Sequence, residues 1–342
     1  MPLARHAPCE ADEEVPLSAP AAGVSTPRRD PGLRRPGRAA FVLAVVLFLA
    51  VTACAPSGPE RSSEAVAPID AVTVGSFNFP ESRLLAEVYA QALESAGILV
   101  ARQPQVGPRE IMEPALEQGL VDVVPEYLGS ALAYLEPGAS VASLDAAAAR
   151  QRLSELLAER GLVVLSFAPA ENQNGVVVRR DTAERYGLSS ISDLAPVAGE
   201  LVFGGPPECR ERPFCLIGLQ NVYGLNFKSF VPLDSGGRGT RAALAGGEID
   251  VGLLFTTDGH LAGGDLVLLA DDRSLQPVEN VVPVARRQVV ERYGTALVER
   301  LDRVSALLTT TELSDLNRQM TIDEQDPAVV AARWLADRGL LG

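Results

Sequence analysis

Cysteine and histidine, the side chains best suited to nucleophilic and metal chemistry, are few in this chain. Its 342 residues include four cysteines and two histidines. Cys209 and Cys215 lie in the segment ECRERPFC, with a proline between them. In an exported protein this pair favours a disulfide that rigidifies one loop. A metal pair is the alternative interpretation, but the spacing matches no zinc pattern.

Motifs of the common catalytic classes are absent from the sequence. It contains no GxSxG, HExxH or P-loop pattern, and His260 is the only histidine after residue 53. Carboxylates are abundant, yet no particular pair indicates a two-acid glycosidase. We therefore expect no enzymatic activity, no cofactor and no bound metal.

Aromatic and polar residues follow several predicted strands. Open α/β sheets bind ligands at the carboxyl ends of their strands, so these residues are candidates for ligand contact. Tyr127 and Phe255 end two apolar strands in the same way, with packing inside a lobe as the alternative. Ser76 and Asn78 lie between the first strand and the first helix, where free N–H groups attract polar ligand atoms. Helix capping is the alternative for this segment, above all for Glu81.

Further candidates lie in later loops and at a helix start. Arg212 belongs to the cysteine loop, where it either meets a ligand or is a solvated charge. Arg241 lies at the start of a helix, which is unfavourable for a cation and indicates a partner for it. Thr256 either contacts ligand or caps the turn that follows.

Residues 1–53 have the layout of a signal peptide with a long basic region. Residues 39–53 carry no charge and follow five arginines. Fifteen helical residues span roughly 22 Å, short of a hydrocarbon core of roughly 30 Å. The sequence Val-Thr-Ala-Cys that ends at Cys54 resembles the bacterial lipobox. We expect removal of residues 1–53, lipid on Cys54 as the membrane anchor on the extracytoplasmic face, and a flexible linker over residues 54–70.

The predicted mature part is acidic. Residues 1–53 contain six arginines and five acidic residues, which leaves 24 basic and 39 acidic side chains, a net charge of −15. Nucleic-acid binding requires a basic footprint, so that class of function is not expected.

Helices and strands are predicted to alternate along the mature part, which favours parallel, helix-flanked sheets. The segments PALEQGLVDVVPEY and RAALAGGEIDVGLLF share one design of helix, glycine turn and apolar strand. They predict two similar α/β lobes joined by two crossings. We expect residues 71–171 with 258–342 in the first lobe and 172–257 in the second.

The segments GSFNFPES, GPREIMEPALEQGLVDVVPEYLGSAL, LVFGGPPECRERPFC, VYGLNFKSF and IDVGLLFTTDG occur in this order. With them, residues 71–342 resemble the glycine betaine, choline and proline-betaine binding proteins of osmoprotectant ABC importers. The resemblance implies a type II periplasmic-binding fold, with two α/β lobes, a two-strand hinge and a ligand cleft.

The resemblance also implies roles for single residues. Tyr127 and Phe255 would form walls of an aromatic cage for a quaternary ammonium group, while Ser130 and Arg212 would meet a carboxylate. Phe77 stands where a lysine is common in the family. Three more positions lie where family members often carry tyrosine, and here they are Asn174, Thr240 and Arg241.

Partners follow from the same resemblance. It implies a monomeric receptor that passes a small-molecule ligand to a membrane permease driven by a cytoplasmic ATPase. A different polar or aromatic solute, and a sensor or envelope role without transport, are the alternatives.

Overall fold

The computed structural model describes residues 70–139 and 141–341. The predicted signal peptide, Cys54 and all but the last residue of the predicted linker lie outside these ranges. Within them, no helix combines the length and the apolar character that a membrane span needs.

The first sheet has five strands in the order β2-β1-β3-β10-β4. Their bounds are β1 Val72–Phe77, β2 Val100–Gly107, β3 Val123–Tyr127, β4 Leu162–Val164 and β10 Val281–Arg286. β1 pairs in parallel with β2 and β3, whereas β10 runs antiparallel to β3 and β4. Valines of β1 and β3 are almost fully buried, because helices cover both faces of the sheet.

The second sheet repeats this arrangement in the order β7-β6-β8-β5-β9. Its strands are β5 Asn174–Arg179, β6 Val202–Gly205, β7 Ser229–Pro232, β8 Val251–Phe255 and β9 Leu266–Leu268. β5 runs antiparallel to β8 and β9. The two sheets confirm the predicted α/β class. The sequence predicts parallel sheets, but both sheets are mixed. The reason is that the strand that arrives by each crossing, β5 or β10, enters its sheet from the opposite end.

Eleven α-helices lie in the described ranges. They are α1 Pro80–Ser95, α2 Arg109–Gln118, α3 Leu128–Leu135, α4 Ala146–Ala158, α5 Arg180–Tyr186, α6 Leu216–Tyr223, α7 Arg238–Gly246, α8 Arg287–Tyr293, α9 Thr295–Leu307, α10 Thr310–Thr321 and α11 Pro327–Asp337. α1 buries Leu84, Leu85, Val88 and Leu93 completely, and their spacing places them on one face of the helix. It ends before Gly97, whose φ of 78° suits glycine.

Two crossings join the sheets, and they touch each other. The first connects β4 to β5 and the second connects β9 to β10; an isolated antiparallel bridge pairs Glu171 with Asn280. The predicted boundary at residue 257 differs from the structure. β9 pairs with β5 in the second sheet, with Leu268 opposite Val177, so the chain returns to the first sheet only after β9. A three-residue strand carries too short a pattern for this to be seen in the sequence.

Candidate functional site

A cleft with a cavity volume of about 610 Å³ lies between the two sheets. Both lobes contribute to its wall, near the ends of strands and at helix starts. Seven of the eleven predicted ligand residues line it, namely Phe77, Asn78, Tyr127, Ser130, Asn174, Arg212 and Phe255. Cys209 and Cys215 also line it, and they are joined as a disulfide with their Cα atoms 5.2 Å apart.

Aromatic rings cluster on the cleft wall around Phe79, which the sequence analysis missed. Its ring centroid lies 5.9 Å from those of Phe77 and Tyr127 in the first lobe. It lies 5.0 Å from that of Phe255 in the second lobe. Phe79 therefore joins the aromatic residues of the two lobes. The alternation in Phe77-Asn78-Phe79, which begins at the end of the first strand, is the signal that could have identified it.

Arg109, which the sequence did not indicate as a site residue either, lies on the cleft wall. Its charge is neutralised by the carboxylate of Glu126. Its Nε and Nη2 donate to the two carboxylate oxygens of Glu126 at 2.5 and 2.8 Å. The Arg109 guanidinium is 5.3 Å from the ring centroid of Phe77. Because this pair is bidentate and buried, its charges largely cancel towards the cleft.

A second buried carboxylate, that of Glu279, faces the cleft. Glu279 lies in the second crossing and is 2% exposed. It accepts hydrogen bonds from the Ser130 N–H, at 3.1 Å, and from the Ser130 hydroxyl. Gly129 permits this approach, since a Cβ there would lie 2.7 Å from the Val278 carbonyl oxygen.

Burial raises the pKa of Glu279 to about 7, against the hydrogen bonds from Ser130 and the charge of Arg109, which lower it. Ser130, expected to meet a ligand carboxylate, has a carboxylate of the protein as its partner in this structure. Its hydroxyl already donates to a carboxylate, and a ligand carboxylate at the same place would meet like charge.

Arg212 projects from the disulfide loop of the second lobe and reaches the first. Its Nη2 donates to both carboxylate oxygens of Glu110 at 2.8 and 2.9 Å. Its Nε is buried and has no hydrogen-bond partner in the described residues. Burial and the charge of Arg109 hold the pKa of Arg212 below its usual value. One N–H of the guanidinium is therefore unpaired in the described residues.

Two predicted residues, Ser76 and Thr256, lie outside the cleft wall. The Ser76 hydroxyl accepts from the Gln105 N–H at 2.8 Å, and the Thr256 hydroxyl accepts from the Gln173 N–H at 2.9 Å. Both side chains thus satisfy backbone groups near the cleft instead of lining it.

Thr240 and Arg241, at the start of α7, are also outside the cleft wall. Thr240 donates its hydroxyl to the Asp234 carboxylate at 2.7 Å. Arg241 pairs with Asp258 at 3.0 Å, which supplies the partner that its unfavourable position indicated. At two of the three positions compared with family tyrosines, Thr240 and Arg241, the side chains are thus bonded to protein groups outside the cleft, whereas Asn174 lines it.

The Glu81 carboxylate is the centre of a network at the hinge, and it does not cap α1. It accepts from the Tyr127 hydroxyl at 2.6 Å, from Asn172 at 2.7 Å and from Asn317 at 2.6 Å. The hydroxyl of Thr257, which follows β8, is a fourth donor. Burial raises the pKa of Glu81, and these four hydrogen bonds lower it.

In the described residues, no group of three or more acidic, histidine or cysteine side chains could hold a metal ion. The cleft wall combines aromatic rings, carboxylates and arginines. Such a set of groups can bind a small solute with a positive charge by cation–π and ionic attraction.

The chain is similar to known substrate-binding proteins. The model of the OpuAC family, the substrate-binding domain of ABC-type glycine betaine transport systems, matches residues 70–337. A glycine-betaine-binding protein of Pseudomonas aeruginosa strain PAO1 is 31% identical over 293 residues, 81% of this chain and 90% of that protein. The glycine betaine-binding protein YehZ of Escherichia coli K12 is 28% identical over 277 residues, 78% of this chain and 90% of YehZ.

A solved structure has the same fold. The crystal structure of a glycine betaine/carnitine/choline ABC transporter component superposes with a TM-score of 0.63 at 23% identity, over 79% of this chain and 100% of that one. At this identity the likeness concerns the fold alone, which agrees with the two-lobed architecture expected from the sequence.

Proposed function

Since the chain belongs to the family of substrate-binding domains of ABC-type glycine betaine transport systems, we propose that it captures a quaternary ammonium solute of the glycine betaine or choline kind. It would do so outside the cytoplasm and deliver the solute to an ABC importer.

One observation carries this proposal: the cleft joins aromatic rings to an excess of acidic groups. Arg109 is neutralised by Glu126, and Arg212 is paired with Glu110. Glu279 adds a further carboxylate, whose hydrogen-bond donors in the described ranges are both on Ser130. Aromatic faces attract cations, and a buried acidic excess disfavours a purely anionic ligand.

The zwitterion glycine betaine fits these groups with its two ends. Its trimethylammonium group would meet the aromatic cluster, and its carboxylate would meet the free donor of Arg212. Phe79 and Phe255, from different lobes, contact each other and would together offer the ligand an aromatic surface to which both lobes contribute. Ligand contacts with both lobes stabilise the arrangement in which the lobes meet, so binding energy alone can drive closure.

We propose a membrane-anchored monomer as the working form. Lipid on Cys54 and the linker over residues 54–70 would keep the receptor near its permease while leaving the cleft accessible. The lipobox-like sequence before Cys54 supports the anchor. Substitution Cys54→Ala should release the protein from the membrane fraction, and retention there would contradict the anchor.

A thermal-shift screen of the full chain in mild detergent tests the ligand class. We expect glycine betaine and choline to raise the melting temperature in a concentration-dependent way, because a ligand stabilises the state that it binds. Amino acids and aromatic acids serve as comparison compounds. If one of these raises the melting temperature and no quaternary ammonium compound does, the proposed ligand class is wrong.

A further inference from the structure

The cleft holds one buried carboxylate that no cation neutralises directly. The other acidic side chains in or beside its wall are paired or reach solvent: Glu110 pairs with Arg212 and Glu126 with Arg109, while Glu208 is half-buried and Glu211 is exposed. Glu279 differs, since in the described residues both of its hydrogen bonds come from Ser130. Its carboxylate is therefore desolvated, oriented and available to a ligand.

We propose that Glu279 is the counter-charge for the cationic end of the ligand and sets the preference for charged over neutral solutes. This inference rests on the proposed capture of a quaternary ammonium compound. A trimethylammonium group has no N–H to donate, so its recognition depends on charge and on contact with aromatic faces. A neutral molecule of the same shape would leave the Glu279 carboxylate buried without compensation.

The charges around Glu279 should couple ligand binding to a change in its protonation. The groups that face it are Ser130 on α3 and Arg109 on α2, which favour its ionised form, and Glu126 on β3, which opposes it. With its pKa raised to about 7, Glu279 is partly protonated at neutral pH. A bound cation favours the ionised form, so ligand binding should release a proton.

Isothermal titration calorimetry with a pair of isosteres tests the proposal. Choline and its uncharged analogue 3,3-dimethylbutan-1-ol are titrated at pH 8 into the full chain in mild detergent, as wild type and as Glu279→Gln. We expect Glu279→Gln to weaken choline binding about 10- to 100-fold and to leave binding of the neutral analogue unchanged or stronger. Glu155→Gln, on the exposed face of α4, is the matched control and should bind like wild type.

A pH profile separates this role from a merely structural one. Between pH 8 and 5.5, wild-type affinity for choline should fall by up to about thirtyfold, because Glu279 becomes protonated. Glu279→Gln should show no such slope. Ser130→Ala removes the hydroxyl donor that lowers the pKa of Glu279 and keeps the backbone N–H, so it should move the midpoint to higher pH.

Glu113 provides a second control for the pH profile. Burial raises its pKa to about 7 as well, but it does not line the cleft. Glu113→Gln should therefore keep the slope of the wild type.

The outcomes are distinct. Loss of the preference for choline and of the pH slope in Glu279→Gln supports the proposal. If wild type binds choline and Glu279→Gln keeps the preference for choline and the pH slope, the proposal is wrong and the proposed function stands. If wild type binds no quaternary ammonium compound, the proposed function fails and this inference fails with it. Should Glu279→Gln not fold, an unmoved midpoint in Ser130→Ala would overturn the proposal.

Discussion

Glu81 and Glu279 are carboxylates of nearly equal burial, 4% and 2% exposed, in unlike surroundings. Glu81 accepts hydrogen bonds from four side chains on separate segments of the chain. Glu279 accepts from one residue, Ser130, and forms part of the cleft wall. Burial raises the pKa of both. The difference teaches that burial alone does not distinguish the two: Glu81 is surrounded by donors away from the cleft wall, whereas Glu279 receives donors from one residue and faces the cleft.

Removal of the hinge carboxylate should have the largest effect on stability. Glu81→Ala leaves four buried donors without an acceptor, and we expect a loss of about 3 to 5 kcal/mol in the free energy of unfolding. Urea unfolding measures this, with the exposed Glu155→Ala as control. A loss below about 1 kcal/mol would show that water or other acceptors replace Glu81.

Neutralisation of the cleft carboxylate, Glu279, should instead increase the free energy of unfolding. The folded-state pKa of Glu279 is raised to about 7 from 4.5, so the folded state binds more protons between these values and stability falls as pH rises through them. At pH 8, Glu279→Gln should therefore be more stable than wild type by up to about 3 kcal/mol. The gain should vanish near pH 4.5. Unfolding curves at both pH values check this, and a destabilised variant at pH 8 would contradict the comparison.

Tyr127 belongs to both regions, since its ring lines the cleft and its hydroxyl donates to Glu81. Tyr127→Phe keeps the ring and removes one donor. We expect a loss of about 1 to 2 kcal/mol in stability, and a change in choline affinity of less than about threefold. A large loss of affinity with unchanged stability would instead assign the hydroxyl to the ligand.

The smallest effect is expected at the rim of the cleft. Glu110→Gln breaks the ion pair with Arg212 that joins the lobes. Because Glu110 is 45% exposed, the pair should contribute less than about 1 kcal/mol. Calorimetry should find choline affinity within about fivefold of wild type. A larger loss would mean that this pair, and not Glu279, controls capture.

Much of the architecture could be predicted from local patterns. The apolar face of α1, the strands that end at Tyr127 and Phe255, and the repeated design of the two lobes are visible in short segments. These features depend on periodicity, which neighbouring residues determine.

The decisive contacts could not be predicted in this way. Ser130 and Glu279 are 149 positions apart, and Glu81 and Asn317 are 236 positions apart. Such pairs depend on how the two crossings bring distant segments together, which no local pattern encodes. Glu81 follows a proline at a helix start and so suggested capping, while Glu279 lies in a segment without periodicity.

A crystal structure of the protein with choline bound tests the central claim most directly. We predict that the quaternary nitrogen lies within about 6 Å of an aromatic ring centroid of the cluster around Phe79, with the Glu279 carboxylate as its nearest anionic group. Choline held elsewhere in the cleft, with a different carboxylate nearest to its nitrogen, would contradict the account.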